Sequence, residues 1–516
     1  MYSFPSFRSI ISSLVRRVCL TLILALAASP APGALASTAP GTAQTPYLVL
    51  DINPDSAESM PGELVYARSP AFTGLLFSAD DGQHGQELWQ SDGQQGGALL
   101  LKDINPGPEP SDPSLLTDLE GTVFFRADDG RHGAELWKSD GTPQGTSLVR
   151  DINDGSDHAY PSHLVAVGGT LFFRASDGEH GYELWASDGS RGGTRLVRDI
   201  LPGGGGSSPQ HLVAASGDGF QGVFFWADDG THGIELWRSD GTEAGTHLLK
   251  DIAPGFQDSG PGAMASLEGP EFQGLLFAAD DGSAGGTYGE ELWRSDGTAA
   301  GTTLVKDINP GPGGSQPGAL TAARQSTSRA VFFGARDGDQ GHGYELWRSD
   351  GTPGGTLLVR DINPGAADSN PCHLTALSGS RFDGLLFCAD DGAHGAELWR
   401  SDGTTGGTSL VQDINPGPGG SALNSLRGVW TRVYFSADDG AAGHGAELWA
   451  SDATPGGTAL VADLNPGSAG AYPALLTSSA GPHRWHLFFR ADDGSHGREL
   501  WAMELSAVQY LPLLMR

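Results

Sequence analysis

HLVAVGG (His163–Gly169), TLFFRASDGEHG (Thr170–Gly181), YELWASDGSRGG (Tyr182–Gly193) and TRLVRDI (Thr194–Ile200) follow one another without interruption. Each piece is a short run rich in β-branched, aromatic or Leu residues and bounded by Gly, Asp or Ser. The DG and GG pairs supply the positive φ angles that tight hairpins require, so the segment reads as four antiparallel strands, here a, b, c and d. Adjacent apolar residues within one strand, Phe172-Phe173 and Leu184-Trp185, decide how the sheet packs. Strand side chains alternate faces, so both faces of this small sheet must be covered, as when sheets stack on each side. Four-stranded units that bury both faces against like neighbours make a β-propeller.

The same pattern runs along the chain. The tripeptide ELW ends at Trp89, Trp137, Trp185, Trp237, Trp293, Trp347, Trp399, Trp449 and Trp501, giving nine units spaced 48 to 56 residues apart. The two ends are complementary. YLVLDI (Tyr47–Ile52) matches strand d, yet no a, b or c strand precedes it, whereas the ninth unit has a, b and c but no following d. The expectation is an all-β fold, a single propeller of nine four-stranded blades over 47–505, with residues 47–52 completing the last blade. An open solenoid would not need matched half-units at its ends, and two smaller propellers would need a linker that the period lacks.

Composition narrows the class. The 516 residues include 78 Gly and 32 Pro, a turn-rich content below that of disordered low-complexity chains. With 62 acidic residues against 30 Lys and Arg, the net charge is −32, which argues against a nucleic-acid partner or an anionic lipid surface. Residues 1–36 differ from the rest: Arg8, Arg16 and Arg17 precede an apolar run, Val18–Ala28, and Ala34-Leu35-Ala36 forms a small-x-small cleavage site. This reads as a signal peptide followed by a linker, 37–46, and it predicts a secreted or cell-surface protein with no transmembrane segment in the mature chain. Cys19 would leave with the leader, and Cys372 and Cys388 would remain in an oxidising compartment. One begins strand a and the other lies in strand b of the same hairpin, so a turn near Gly379–Phe382 would face them across a disulfide. The C-terminal stretch 506–516 is an apolar tail outside the last repeat.

The string ELW-x-SDGT-x-x-GT-x-LV-x-DINPG, as in Glu135–Gly155 or Glu291–Gly311, resembles the ELWxxDGT repeat of bacterial secreted and surface proteins. The resemblance covers nearly all of 47–505 and implies a propeller-like exported protein. Departures are minor: Ala453 stands for the Gly of SDG, Ala98 for the second Thr, and the ninth unit lacks the c–d turn.

Candidate chemistry begins with the b–c segment ADDGxHGxE. Its second Asp is present in all nine units, always before Gly, which suits a turn former bonding its own backbone. Eight units add a His, at 84, 132, 180, 232, 342, 394, 444 and 496, and all nine carry the Glu before Leu-Trp. A cluster needed by every blade serves the blade. Asp-rich turns also suit a hard cation, so calcium is a candidate cofactor, with Asp80, Asp81, Asp128 and Asp129 as representative ligands. The out-of-pattern aromatics Trp226, Trp430 and Trp485, with the longer loops Ser283–Tyr288, Asp339–Gly341 and Ala441–Gly443, either form a sugar or partner platform or fill space between blades.

No GxSxG elbow, HExxH or phosphate loop is present, and no catalytic residue is singled out. The sequence therefore reads as a monomeric, non-enzymatic module that binds or adheres to an extracellular glycan or protein. The alternative is a propeller glycosidase or polysaccharide lyase that gathers carboxylates from different blades.

Overall fold

The computed structural model describes residues 45–505 apart from 55–57, 218–219, 261, 283–288, 325–328, 380–381 and 480–484. The leader, most of the linker, the C-terminal stretch and the Ser283–Tyr288 loop lie outside the described residues. Nine four-stranded antiparallel sheets stand in sequence order, each a meander of a, b, c and d. Blade 3, for example, is Ser162–Val167, Thr170–Ser176, Tyr182–Ser187 and Arg195–Arg198. The a strands touch in succession, and that of blade 9 touches that of blade 1, so the blades form a closed ring with strand a innermost. Among the described residues no helix is long and apolar enough to cross a membrane.

Closure is by the N-terminal strand. Tyr47–Leu50 pairs antiparallel with strand c of blade 9, Arg498–Leu505, as its outer strand. Val49 and Ile52 are buried with Phe488 and Leu500 of blade 9 and with Leu75 and Phe77 of blade 1.

The paired apolar residues divide between the two faces. In blade 2, Phe124 and Leu136 face blade 3, packing with Leu171 and Trp185, while Phe125 and Trp137 face blade 1, packing with Leu76 and Leu88. Each junction between neighbouring blades holds one such core, and together the nine cores carry the ring.

A cation fastens most junctions. The variable residue of LVxDI is Lys or Arg at 102, 150, 198, 250, 306 and 360. In each case it donates to a Thr carbonyl in the c–d turn of the next blade, as Lys102 Nζ does to Thr146 at 2.6 Å and Arg360 to Thr408 at 2.6 Å. The same charge lies over the next blade's Trp, 5.6 to 5.9 Å from the ring centroid, which adds a cation–π attraction. The exceptions, Gln412, Ala462 and Leu50, fall at the three successive junctions from blade 7 to blade 1. There other groups act: Arg400 reaches the carbonyl of Ala453, and Tyr47 Oη donates to the carbonyl of Gly93. Blade 9 takes its outer strand from the N-terminus, so it has no c–d turn to offer blade 8.

In blade 7, Cys372 and Cys388 are register partners with Cα atoms 5.1 Å apart, joined by a disulfide. The hairpin turns where Gly379 N donates to Phe382 O.

Deleting Tyr47–Ile52 should remove two buried aliphatic side chains, each contributing about 1.5–3 kcal/mol, and open an edge on blade 9. The expected result in calorimetry is a clearly lowered Tm with aggregation; a Tm equal to that of the full chain would contradict closure by this strand.

Candidate functional site

Two polar devices recur in the blades, and both are absorbed by the fold. The Glu of ELW is fully buried in every blade. Its carboxylate accepts backbone N–H groups from the connector that leaves strand d for the next blade. Glu87 accepts from Ile104 at 2.8 Å, Asn105 at 3.3 Å, Ser111 N at 3.0 Å and Ser111 Oγ at 2.6 Å. Glu499 does the same for Ile52 and Ser59, tying blade 9 to the start of the chain. Burial pushes these carboxyls up, to about 7 for Glu87 and about 8 for Glu135, while the donors partly offset the rise.

The second device is the b–c turn. Asp81 Oδ1 accepts from the backbone N–H of Gln83 and of His84, and Oδ2 meets His84 Nδ1 at 2.8 Å. Partial burial opposes ionisation of Asp81, but the His84 and Gln83 donors outweigh it and hold its pKa below the ordinary value. The bond to Asp81 in turn raises that of His84. Where the loop is longer, a short 3-10 turn at Gly338–Gln340 or Gly440–Ala442 takes up the extra residues and the Asp–His bond persists.

These turns account for the four aspartates expected to bind calcium. Asp80 and Asp128 accept from Gly82 N and Gly130 N, and Asp81 and Asp129 bond their own turns and a His. Among the described residues, no group of three or more His, Cys, Asp or Glu side chains is placed to hold a metal ion. Asp80 and Asp128 cap their turns through Oδ1, and Asp81 and Asp129 use both oxygens within their own turns.

The three tryptophans do not converge. Trp226 is fully buried, edge-on to Phe277 of blade 5 with centroids 5.6 Å apart, and is a core residue with no face open to a ligand. Trp430 and Trp485 do meet, edge to face at 4.7 Å, at the blade 8–9 junction. Half-buried there, they pack on a core that includes Val429, Met503 and Leu505.

What changes from blade to blade is a layer at the channel mouth. The b–c turns and the d–a connectors share one end of the blades: Gly130 of a b–c turn approaches Asn105 of a connector, where an added Cβ would lie 2.6 Å from Asn105 Oδ1. At this end strand a carries a bulge in eight blades. Its second residue takes a left-handed conformation, as in Glu63, Leu115, His163, His211 and His373, with φ between 52° and 61°. Opposite the start of strand a, strand b offers Ser78, Arg126, Arg174, Trp226, Ala278, Gly334, Cys388, Ser436 or Arg490; the three arginines are half-buried and the other six are buried. The repeat fixes almost everything except this layer.

Blades 3 and 4 give the layer its most distinctive chemistry. Arg174 stacks on Tyr182, with Cζ 4.2 Å from the ring centroid. His163 and His211, both exposed, lie with ring centroids 6.4 Å apart. Burial, the Arg174 charge and His211 lower the pKa of His163. Three residues before His163, Tyr160, 45 % exposed, stacks on His158 at 4.7 Å, and its N–H donates to the carbonyl of Ala134 in blade 2. Sequence reading missed this cluster because it lies in strand a and beside it, where each residue type looks like ordinary surface variation.

No protein-family model matches the chain, and no curated protein matches it. Among solved structures, the chain is similar to Saccharomyces cerevisiae Sqt1, at 13 % identity over 77 % of this chain and 97 % of that one, with a TM-score of 0.39. A puromycin hydrolase matches at 15 % identity and TM-score 0.36 over 75 % of this chain, which spans only 59 % of the hydrolase's length. The GH74 enzyme of Niastella koreensis matches at 10 % identity and TM-score 0.31, over 88 % of this chain and 81 % of that one. Similarities of this size carry no argument about chemistry.

The titrating groups set a sign for stability against pH. Carboxyls such as Glu87, raised from 4.5 by burial, contribute stability that is present below 4.5 and is lost as pH rises through about 7. Histidines such as His84 and His496, raised from 6.5 by their Asp partners, lose theirs as pH rises above 6.5. Aspartates such as Asp81, held below 3.8, lose theirs only as pH falls below 3.8. At constant ionic strength, Tm should be higher at a pH of about 5.5 than at about 8. A Tm that rises across this interval would contradict the assignment.

Proposed function

We propose that the chain is a secreted, non-enzymatic member of the ELWxxDGT-repeat proteins that binds an extracellular ligand at the channel mouth on the connector face. One observation carries this reading. The repeated Asp, His and Glu side chains are engaged within their own blades or connectors, whereas the mouth layer differs from one blade to the next. Fixed blades with a variable mouth suit recognition, because a rigid ring presents different accessible strand-a residues, such as Glu63, Leu115, His163, His211 and His373, to one ligand.

One group supports the alternative of a polymer-cleaving enzyme. Glu290, on strand c of blade 5, has a pKa raised by burial and by Asp280, the direction a general acid requires. Incubating the purified chain with a panel of extracellular polysaccharides, and reading both retention and product release, separates the two. The expected outcome is retention on at least one polymer without product. Product release that Glu290→Gln abolishes would overturn the non-enzymatic reading.

A further inference from the structure

The chain holds about two acidic residues for every basic one. In such a protein a guanidinium left without a partner is anomalous, since burying even part of an unpaired charge is costly. Many of the cations are engaged: six fasten blade junctions, others donate to carbonyls, and Arg336 pairs with Asp368 through both of its terminal nitrogens. Arg174 differs. Half-buried in the mouth layer, its Nε is shielded from solvent and has no hydrogen-bond acceptor, and its stabilising contact is the face of Tyr182.

Around it stand the neutral hydrogen-bonding rings of His163 and His211, and Asp128 of blade 2 lies 3.6 Å from His158, on which Tyr160 stacks. Burial, the Arg174 charge and His211 lower the pKa of His163, and burial lowers that of Arg174, whose guanidinium lies over the neutral Tyr182 ring. One blade away, Arg126 occupies the register position equivalent to Arg174, each opposite the first residue of its strand a. Tyr160 lies two residues before that strand in blade 3, its ring stacked on His158 and 45 % exposed.

We propose that the mouth at blades 2 to 4 binds an acidic polysaccharide. Its carboxylates sit against Arg174 and the His163–His211 pair, and a sugar ring lies on Tyr160. This rests on the binding-module reading above. A carboxylate supplies the acceptors that Arg174 lacks, in the planar geometry a guanidinium favours. The equivalent Arg126 in the next blade suits acid groups repeated along a polymer better than a single small anion. The exposed aromatic ring favours a sugar over an acidic peptide, because a pyranose offers a flat C–H face for stacking.

The test is calorimetric titration of the purified chain with oligogalacturonate, with neutral galactan oligomers and polyglutamate as comparators, at a pH of about 6 and fixed ionic strength. Oligogalacturonate should bind and the neutral oligomer should not. Arg174→Gln and the double variant His163→Gln/His211→Gln should each weaken binding by about tenfold or more, while Arg131→Gln, the same charge change on an exposed b–c loop, should not. Both histidines are exposed, so the double variant keeps the test decisive if Arg174→Gln fails to fold. Absence of oligogalacturonate binding, equal binding of neutral galactan, or affinity unchanged in the variants would overturn the site. Tighter binding of polyglutamate with the same sensitivity would overturn the glycan in favour of a protein partner. Cleavage of oligogalacturonate would instead overturn the non-enzymatic reading and leave the site to be judged by the variants. Retention of a neutral glycan with none of the acidic one would leave the binding reading standing and remove this site.

Discussion

A buried carboxylate that collects backbone N–H groups from the connector to the next blade is the interaction on which this ring depends. The chain must leave the outer strand of one blade, cross the end of the sheet and enter the innermost strand of the next, through a segment with no regular partner. Buried N–H groups cannot be left unpaired without a cost of about 1–3 kcal/mol each. The Glu of ELW meets that demand from the second residue of strand c, beside the connector end of the blade. Glu345 accepts from Ile362, Asn363 and Ser369, and Glu499 accepts from residues at the start of the chain, so blade and connector are fixed together in every unit. The long, nearly invariant spacing from ELW through DINPG to the following Ser is the trace of this one requirement.

Blade stacking supplies the other half of the stability. Each sheet is apolar on both faces, and the Lys or Arg of LVxDI reaches across to the next blade's turn carbonyl while lying over its Trp. Where the next blade has no turn to offer, at the blade 8–9 junction, the cation is replaced by Ala462 and the Trp430–Trp485 pair packs there. Departures from the repeat thus follow the way the ring is closed.

Much of this was legible in the sequence because it is periodic. The blade count, the Tyr47–Leu50 closure and the two-sided packing implied by Phe172-Phe173 all follow from period and alternation. The junction cations were not legible, since a lone Lys or Arg at the end of a strand reads as an exposed charge. Of the two readings the sequence leaves open for Trp226, a platform or a filler between blades, burial matches the second: it fills the position that is Arg174 in blade 3 and lies in the blade 4–5 core. The left-handed residues at His163 and His211 leave no residue-type signal, because non-glycine residues stand where the backbone turns positive. Functional reading fails where periodicity fails, and the mouth layer is the aperiodic part of this chain.

We propose a division of labour in which the repeated carboxylates hold the fold and the aperiodic mouth binds the ligand. Its most direct measurement is a set of nine single substitutions of the ELW glutamates to Gln, from Glu87→Gln to Glu499→Gln, each assayed for Tm and for polysaccharide retention. A loss of stability of about 1–3 kcal/mol is expected in every blade, with retention unchanged in every variant that stays folded. A single blade whose substitution abolishes retention while leaving Tm untouched would contradict it.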